Sequence, residues 1–310
     1  RNNSRNNSKL DSILITGGLG FIGSRFAKLC IEKGHNVKII DKMTYAADPK
    51  RLHDTVPNWI EFPFNKLDIC DVTVNDITGC QYVVNFAAET HADNSISDGR
   101  PFIRSNVEGV FNLLEQCRRM SQFRDDFKKF IQISTDEVYG DIEKGESDEE
   151  HPIHPSSYYS ATKASADMLV KSACRTYGLP YIITRTCNNY GPGQHEEKFI
   201  PKLEKCLQEN KPIPVYTPGT QTREWIHVDD NCKAIYNLMV SNKVNDIYNI
   251  GSGERYNNLE VIDILDKDNK ANIELVTDRK GHDKRYALNS SKYKSEFGDP
   301  SSITFKEYYK

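Results

Sequence analysis

The stretch Ile13-Leu14-Ile15-Thr16-Gly17-Gly18-Leu19-Gly20-Phe21-Ile22-Gly23 decides the fold of this chain. It opens with a short apolar run typical of a buried strand, and apolar residues then recur at helical spacing over residues 22–30 until Gly34. The glycines therefore fall in a strand-to-helix turn, where missing side chains let the backbone approach a pyrophosphate and the helix amides point at it. The stretch predicts a dinucleotide site that involves Gly17, Gly20, Phe21, Ile22 and Gly23.

A second apolar strand, residues 37–40, ends in Asp41, roughly twenty residues beyond the glycine turn. A carboxylate at this position accepts hydrogen bonds from the adenosine ribose and repels a 2′-phosphate, so NAD is favoured over NADP as the cofactor. Lys42 follows at once and could weaken that discrimination. The alternative is that Asp41 only caps a loop.

Two further strand ends belong to the same predicted site. Asp68 and Ile69 follow a third strand, at the place where such folds contact the adenine. Residues 81–88 predict a fourth strand, whose small residues would permit contact with the cofactor. Helical stretches at about 101–120 and 157–177 alternate with the strands, which predicts a parallel sheet covered on both faces.

The expected fold class is therefore α/β, a Rossmann-type doubly wound parallel sheet with a smaller C-terminal α/β substrate lobe. Residues 10–187, with a return segment near 226–250, would form the NAD-binding domain, and residues 188–310 would form most of the substrate lobe. Residues 1–9 carry a repeated polar tetrapeptide, which indicates a disordered tail.

Composition restricts the partners of the chain. A net charge of −3 over 310 residues gives no reason to expect nucleic acid or an anionic membrane as a partner. No apolar run approaches the roughly 18 residues of a membrane helix, and the first residues lack the apolar core of a signal peptide. The eight cysteines are scattered without a Cys-x-x-Cys pair, which argues against a metal site or a disulfide framework. A cytoplasmic protein is expected.

Thr135, Asp136 and Glu137 stand in a row at the end of an apolar strand that begins at Lys129. Together they supply a hydrogen-bond donor, a possible acid and a possible base. An enzyme that removes a proton and expels water from the same substrate needs such a pair of carboxyl groups, whereas a plain oxidoreductase does not. Taken alone, the run could equally be a solvated strand-to-loop turn, because Asp often starts turns.

Tyr159 and Lys163 open the second helical stretch one turn apart, so their side chains share a face. A phenol has a pKa near 10 and is a poor base at neutral pH. Lowering that pKa by about three units needs roughly 4 kcal/mol, which an adjacent ammonium and a positive nicotinamide ring would help to supply. The pair therefore predicts a catalytic phenol beside the cofactor.

Taken together, these motifs resemble the extended short-chain dehydrogenase/reductase family over nearly the whole chain. The run Ser-Thr-Asp-Glu-Val-Tyr-Gly at 134–140 is similar to the nucleotide-sugar 4,6-dehydratases. Epimerases of the family usually carry small residues after the hydroxyl residue, and its decarboxylases and GDP-mannose dehydratases lack the first acid, so Asp136 selects the dTDP- or UDP-glucose dehydratases. Further similar runs lie at residues 41–45, 68–71, 87–93, 188–192 and 281–286.

The resemblance implies a mechanism. Tyr159, assisted by Lys163, would take the proton of the glucose C4 hydroxyl while the hydride on C4 passes to NAD. Thr135 would form a hydrogen bond to the same C4 oxygen. Glu137 would then take the C5 proton, and Asp136 would protonate the departing C6 hydroxyl before hydride returns to C6. The expected substrate is dTDP-glucose, with UDP-glucose as the alternative. An epimerase or decarboxylase, and a non-catalytic NAD-sensing protein, are the remaining readings.

The same resemblance implies the residues of both ligand sites. Besides the glycine turn, Tyr159 and Lys163, the cofactor would contact Asp41, Lys42, Thr44, Asp68, Ile69, Phe86, Ala87, Ala88, Ser105 and Asn189. The nucleotide-diphosphate glucose would contact Thr90, Thr135, Asn188, Lys198, Phe199, Pro214, Tyr216, Arg223, Asn258, Arg279 and His282. A homodimer packed through the helices near 101–120 and 157–177 is also expected.

Overall fold

The computed structural model describes residues 10–57 and 62–310, so the predicted N-terminal tail lies outside the described residues. The apolar runs of the sequence form strands, and the segments with apolar residues at helical spacing form helices, such as α1 after Gly20 and α6 after Ser157. The strands are β1 (Ser12–Thr16), β2 (Asn36–Asp41), β3 (Asn65–Lys66), β4 (Tyr82–Asn85), β5 (Lys129–Thr135), β6 (Tyr181–Thr186), β7 (Asn188–Tyr190), β8 (Ile213–Tyr216), β9 (Thr222–His227), β10 (Asp246–Ile250), β11 (Arg255–Asn257) and β12 (Ile273–Val276).

Helices connect most of these strands. The α-helices are α1 (Phe21–Glu32), α2 (Val74–Ile77), α3 (Ala92–Ser97), α4 (Arg100–Ile103), α5 (Gly109–Ser121), α6 (Tyr158–Tyr177), α7 (Phe199–Glu209), α8 (Val228–Val240), α9 (Asn258–Leu265), α10 (Ser291–Phe297) and α11 (Phe305–Tyr308). A π-helical segment, Arg104–Glu108, joins α4 to α5, and 3₁₀ turns cover Pro49–Thr55, Ile69–Asp71 and Asp136–Tyr139.

A parallel sheet of seven strands in the order β10-β6-β5-β4-β1-β2-β3 forms the centre of the larger lobe. The predicted fold class is confirmed. The strand order reverses direction between β1 and β4, and ligands bind at such a switch point, outside the carboxyl ends of the strands. The fourth strand is shorter than predicted, because the chain leaves the sheet at Phe86 and forms a loop beside the glycine turn.

Two apolar clusters cover the faces of this sheet. In β1, Ile13 and Ile15 pack on the face covered by α1 and α8, whereas Leu14 packs on the opposite face, covered by α5 and α6. This alternation follows from the period of two along a strand, and with both faces covered every residue can be apolar. The segment α8–β10 returns to the large sheet, because β10 pairs with β6.

The smaller lobe has its own core. It contains a three-stranded sheet in the order β11-β9-β7 and the two-stranded sheet of β12 and β8. Tyr190, Trp225 and Phe305 pack together with Ile200 and Leu203 in this second core. Among the described residues, no helix combines the length and the apolar character needed to span a bilayer.

A buried lysine links the large sheet to α8. Lys129, 2% exposed, donates from Nζ to the carbonyl oxygens of Leu238, Ser241 and Lys243 at 3.0, 2.9 and 2.7 Å. These carbonyls lie at or just beyond the C-terminus of α8, where helix carbonyls lack intrahelical partners. Burial lowers the pKa of Lys129 to about 8. The side chain thus satisfies three backbone acceptors where β5 begins.

Replacing Lys129 by Met should lower the free energy of unfolding by about 1–3 kcal/mol, because the carbonyls of Ser241 and Lys243 lose this donor, while that of Leu238 keeps the Ser241 hydroxyl. The measurement is urea unfolding at neutral pH. Lys128→Met is the matched control, since Lys128 is exposed and forms a surface ion pair with Asp11 whose loss costs about 1 kcal/mol or less. Equal losses in the two variants would contradict the helix-capping role of Lys129.

Candidate active site

The turn after β1 has a backbone that requires glycine. Gly17 has a φ of +64°, and a Cβ placed on it would lie 2.7 Å from the amide nitrogen of Ala87. A Cβ on Gly23 would overlap the carbonyl oxygen of Gly17. The first turn of α1 borders a cavity, and no side chain in residues 10–57 or 62–310 caps its amides. This cradle fits a diphosphate group.

One cavity extends along the carboxyl ends of β1, β2, β4 and β5. It brings together every residue that the sequence assigned to the cofactor, namely Gly17, Gly20, Phe21, Ile22, Gly23, Asp41, Lys42, Thr44, Asp68, Ile69, Phe86, Ala87, Ala88, Ser105, Tyr159, Lys163 and Asn189. Thr135, Asp136 and Glu137 line the same cavity, as do Thr90, Asn188 and Lys198. The predicted phenol, hydroxyl and two acids therefore meet at one place.

Asp41 lies at the end of β2 and is 7% exposed. Its carboxylate accepts hydrogen bonds from the amides of Leu19 at 3.1 Å and Met43 at 2.8 Å. Burial raises its pKa, while these amides and the cations Arg51 and Lys42 oppose the rise. Asp41 thus caps its loop and also lines the cavity, while its contact with the adenosine ribose stays a prediction. The Lys42 ammonium is directed to Ser105 Oγ at 2.8 Å and Glu89 at 2.9 Å.

The acid pair follows directly from the end of β5. Thr135 is the N-cap of the 3₁₀ turn Asp136–Tyr139, and its hydroxyl accepts from the Glu137 amide at 3.2 Å. The turn ends at Gly140, where φ is +73° and a Cβ would overlap the His154 carbonyl oxygen. A tight turn here folds both acids back toward the cavity, whereas a continued strand would place alternate side chains on opposite faces.

Asp136 is held in a setting that favours the neutral acid. Its side chain is 3% exposed, Oδ1 accepts from the Thr135 hydroxyl at 3.2 Å, and Oδ2 has no partner among the described residues. Burial, followed by the charges of Glu137 and Glu224, raises the pKa of Asp136 well above its usual range. A buried carboxyl with one free oxygen can donate a proton into the cavity.

Glu137 is also buried enough for its pKa to be raised, but three cations oppose the effect of burial. They are Arg223, Arg279 and Lys198, in that order of influence, while Asp283 acts in the opposite sense. Lys198 comes from the N-cap of α7, and both arginines come from the smaller lobe. The two neighbouring acids thus differ in environment, as an acid and a base in one site must.

The phenol and the lysine of α6 are both buried, at 8% and 5% exposure. Lys163 donates to the Ile133 carbonyl at 2.6 Å, and burial lowers its pKa to about 8 against the opposing charge of Asp167. For Tyr159, burial and then the charges of Glu137 and Asp136 raise the pKa. The Lys163 ammonium, which is bonded to the Ile133 carbonyl, is not among the groups that shift this pKa, so burial and the two carboxylates favour the protonated phenol, the opposite of the shift expected from an adjacent ammonium.

The remaining predicted substrate residues come from the smaller lobe. Arg223 is 8% exposed, donates to the Asp283 carbonyl at 2.9 Å and lies over the ring of Tyr286. Arg279 and Tyr216 both bond to Asp93, at 2.6 and 2.9 Å. His282 contacts the Tyr216 ring edge to face. These four, with Phe199, Pro214 and Asn258, are not among the residues that line the cavity, so their contact with substrate stays a prediction.

Several functional candidates were missed from the sequence. Arg51 lines the cavity and donates to the carbonyls of Leu19, Ala46 and Gly193 at 2.7, 2.8 and 3.0 Å, which ties the glycine turn to two loops. It lies in a 3₁₀ turn without a recognisable motif, so no sequence signal marks it. Asp93 lies within the family-like run 87–93, but its contacts with Tyr216 and Arg279 exist only in the folded chain, so the sequence carried no signal for them. Other unpredicted lining residues are Gln194, His195, Glu197 and Asn231.

No group of three or more His, Cys, Asp or Glu side chains within residues 10–57 and 62–310 is placed to hold a metal ion.

The fold and the site define a Rossmann-type α/β protein with a dinucleotide cradle beside a Tyr-Lys pair. The NAD dependent epimerase/dehydratase family matches residues 13–251, and the chain belongs to this family. It is 41% identical to a dTDP-glucose 4,6-dehydratase of Haemophilus influenzae, with 96% of this chain and 95% of that protein covered. It is also 41% identical to the low-salt glycan biosynthesis protein Agl12 of Haloferax volcanii, with 93% of each covered.

A solved structure is similar over almost the same length. DesIV, a dTDP-glucose 4,6-dehydratase from Streptomyces venezuelae with NAD bound, has a TM-score of 0.89 and 36% identity to this chain. The match covers 96% of this chain and 94% of DesIV. The likeness thus extends across both lobes.

Asp136→Asn should stabilise the protein increasingly as pH rises above about 4, the ordinary pKa of Asp. The folded protein keeps the Asp136 proton after the unfolded chain has lost it, so wild-type stability falls with rising pH, by up to about 1.4 kcal/mol per pH unit. Asparagine removes that slope. Urea unfolding from pH 5 to 8 measures the difference, with the exposed Asp125→Asn as control. A difference independent of pH would contradict a buried neutral acid.

Proposed function

We propose that this protein is an NAD-dependent nucleotide-sugar 4,6-dehydratase, a hydro-lyase that converts dTDP-glucose into dTDP-4-keto-6-deoxyglucose and water. One observation carries the proposal: Asp136, buried and with its pKa raised, and Glu137, near three cations, line the same cavity as Tyr159, Lys163 and the glycine cradle. The similarity to dTDP-glucose 4,6-dehydratases over more than nine-tenths of the chain supports it.

The cavity residues divide the reaction between them. Tyr159 takes the proton of the C4 hydroxyl, and Thr135 donates a hydrogen bond to the same oxygen. NAD, when bound, accepts the hydride from C4, later gives it to C6, and carries a positive charge that favours the phenolate. The 4-keto group makes the C5 proton acidic, so the Glu137 carboxylate can remove it. Asp136 gives its proton to the C6 hydroxyl, which leaves as water, and Glu137 returns its proton to C5 as hydride reaches C6. Exchange with solvent then removes the proton from Tyr159 and restores that of Asp136.

Charge placement explains why the two acids are not interchangeable. Asp136 has one cation, Arg223, that lowers its pKa, set against two carboxylates that raise it. Glu137 has three cations that lower its pKa. Each charge of like sign near a carboxyl favours its neutral form, and each opposite charge favours the ionised form. Dehydration needs this division, whereas epimerisation at C4 needs neither acid.

The expected assay result is formation of the 4-keto sugar from dTDP-glucose at a higher kcat/KM than from UDP-glucose. Glu137→Gln should lower kcat by about 10²- to 10⁴-fold and abolish exchange of the C5 hydrogen with solvent deuterium. Asp136→Asn should lower product formation comparably while C5 exchange continues, because only the departure of the C6 hydroxyl is impaired. Exchange is followed by NMR and the product by its absorbance.

Asp125→Asn serves as the control for these two variants, since that carboxyl is exposed and distant from the site. Loss of C5 exchange in both acid variants would contradict the separate roles. NAD retention without turnover of either nucleotide sugar would instead favour a non-catalytic NAD-binding protein. A preference for UDP-glucose would revise the nucleotide but leave the dehydration chemistry intact.

Arg51→Met should speed release of NAD by about tenfold or more, because the loss removes three hydrogen bonds that tie together the loops around the cavity. The readout is dissociation of NAD from the purified holoenzyme, followed by its fluorescence after reduction. The matched control is Arg118→Met, a surface arginine paired with Glu115 on α5. An unchanged release rate would show that Arg51 does not retain the cofactor.

We further propose that the protein forms a homodimer in the cytoplasm. Exposed apolar side chains on α5 and α6, including Phe111, Met168 and Tyr177, support an interface through these helices. All eight cysteines are free thiols, which supports a reducing compartment. The proposed domain division follows the two cores, with residues 10–187 and the returning segment near 226–250 in the NAD-binding domain.

A further inference from the structure

Asp93 connects the two lobes beside the candidate active site. It lies in the first turn of α3, which follows the loop after β4 in the larger lobe. Its Oδ1 accepts from Arg279 Nη1 at 2.6 Å, and its Oδ2 accepts from the Tyr216 hydroxyl at 2.9 Å. Both partners belong to the smaller lobe, so both carboxylate oxygens are engaged across the boundary. The Arg279 guanidinium holds the pKa of Asp93 below its usual range, against the effect of burial.

The helix that carries Asp93, α3, also contacts α6, the helix of Tyr159 and Lys163. Ser95, two residues further on, is fully buried, and its hydroxyl accepts a hydrogen bond from the Tyr159 amide at 3.3 Å. The six-residue α3 is therefore bonded on one side to the residue that holds the phenol and on the other to Arg279 and Tyr216. A displacement of either partner would be transmitted through this short helix.

The two partners of Asp93 come from separate segments. Tyr216 ends β8, and Arg279 lies in the loop between β12 and α10. The Tyr216 ring packs edge to face on His282, with centroids 5.5 Å apart, and His282 Nδ1 lies 2.6 Å from Asp278. The pairing of β8 with β12, in which Tyr216 lies opposite Val276, already joins these two segments, so the Asp93 carboxylate attaches one unit of the smaller lobe to α3.

Arg279 is also one of the charges that face Glu137. The groups around Glu137 are Arg223, Arg279, Lys198, Asp283, Asp136, Tyr159 and Tyr286. The Arg279 guanidinium donates from Nη1 to Asp93. A fixed guanidinium keeps a constant distance to Glu137 and to an anionic substrate, whereas a free one would sample many rotamers.

We propose that Asp93 is a positioning residue for this reaction: it fixes Arg279 and Tyr216 against α3, so that the arginine faces Glu137 and the diphosphate of the substrate. The inference rests on the proposed function. Asp93 itself does not contact the reacting atoms. Its effect on catalysis passes through Arg279, and its effect on the nucleotide side of the pocket passes through Tyr216.

The test is Asp93→Asn in the holoenzyme, assayed with dTDP-glucose across pH 5 to 9. We expect KM to rise about tenfold to a hundredfold, since a hydrogen bond to a charged group is replaced by a weaker neutral one. We also expect the acidic limb of kcat/KM to move to higher pH, because a mobile Arg279 stabilises the Glu137 carboxylate less well.

The direction of the pH shift separates the proposal from its alternatives. Removing a negative charge by itself would move the limb to lower pH, as would a limb set by His91, which faces Asp93, Glu197, Lys198 and Arg279. A downward shift or an unmoved limb would therefore overturn the positioning role. A loss of thermal stability alone, with unchanged KM and pH profile, would reduce Asp93 to a structural contact.

Two further variants complete the design. Asp98→Asn changes an exposed carboxyl at the other end of α3 and should leave KM and the pH profile unchanged. Tyr216→Phe removes one of the two bonds to Asp93 and should raise KM without moving the acidic limb. Wild-type protein that converts neither dTDP-glucose nor UDP-glucose would refute the proposed function, whereas normal wild-type turnover with an unaffected Asp93→Asn variant would refute only the positioning role.

Discussion

The desolvation of two adjacent carboxyl groups, with Asp136 buried and Glu137 half-buried, is the constraint on which the rest of the site depends. Removing a carboxylate from water is costly, so each buried acid must be neutral or be balanced by positive charge. Asp136 meets the first condition and Glu137 the second, with cations supplied by Arg223, Arg279 and Lys198. The smaller lobe is therefore an electrostatic part of the catalytic site as well as a cover for it.

The parallel sheet explains how distant segments meet. The carboxyl ends of parallel strands lie at one edge, and the reversal of strand order between β1 and β4 opens a crevice there. The glycine turn, Asp41, the loop after β4 and the acid pair each follow directly from one of these strands. Buried polar pairing across the sheet, such as Thr16 with Asn85 and Asn85 with Gln132, keeps those strand ends in register.

Two sets of interactions across the lobes are short and charge-assisted. Asp93 with Arg279 and Tyr216, and Arg51 with Gly193, join loops whose positions depend on different cores. Charge-assisted bonds of this kind fix orientation more firmly than apolar contacts of similar area, because their geometry is directional. The arrangement allows a rigid cofactor cradle to be combined with a substrate lobe whose residues reach the same acid pair.

The sequence by itself determined the elements and the chemistry that follow strands directly: the glycine turn, Asp41, the Thr-Asp-Glu run and the Tyr-Lys pair, all set by local periodicity and residue type. Tertiary structure alone decided the protonation preferences, the roles of Asp93 and Arg51, and the raised pKa of Tyr159. Those properties depend on desolvation and on charges far apart in the sequence, such as Asp93 and Arg279, which are 186 positions apart. No local pattern carries that information, because burial and through-space distance exist only once the chain has folded.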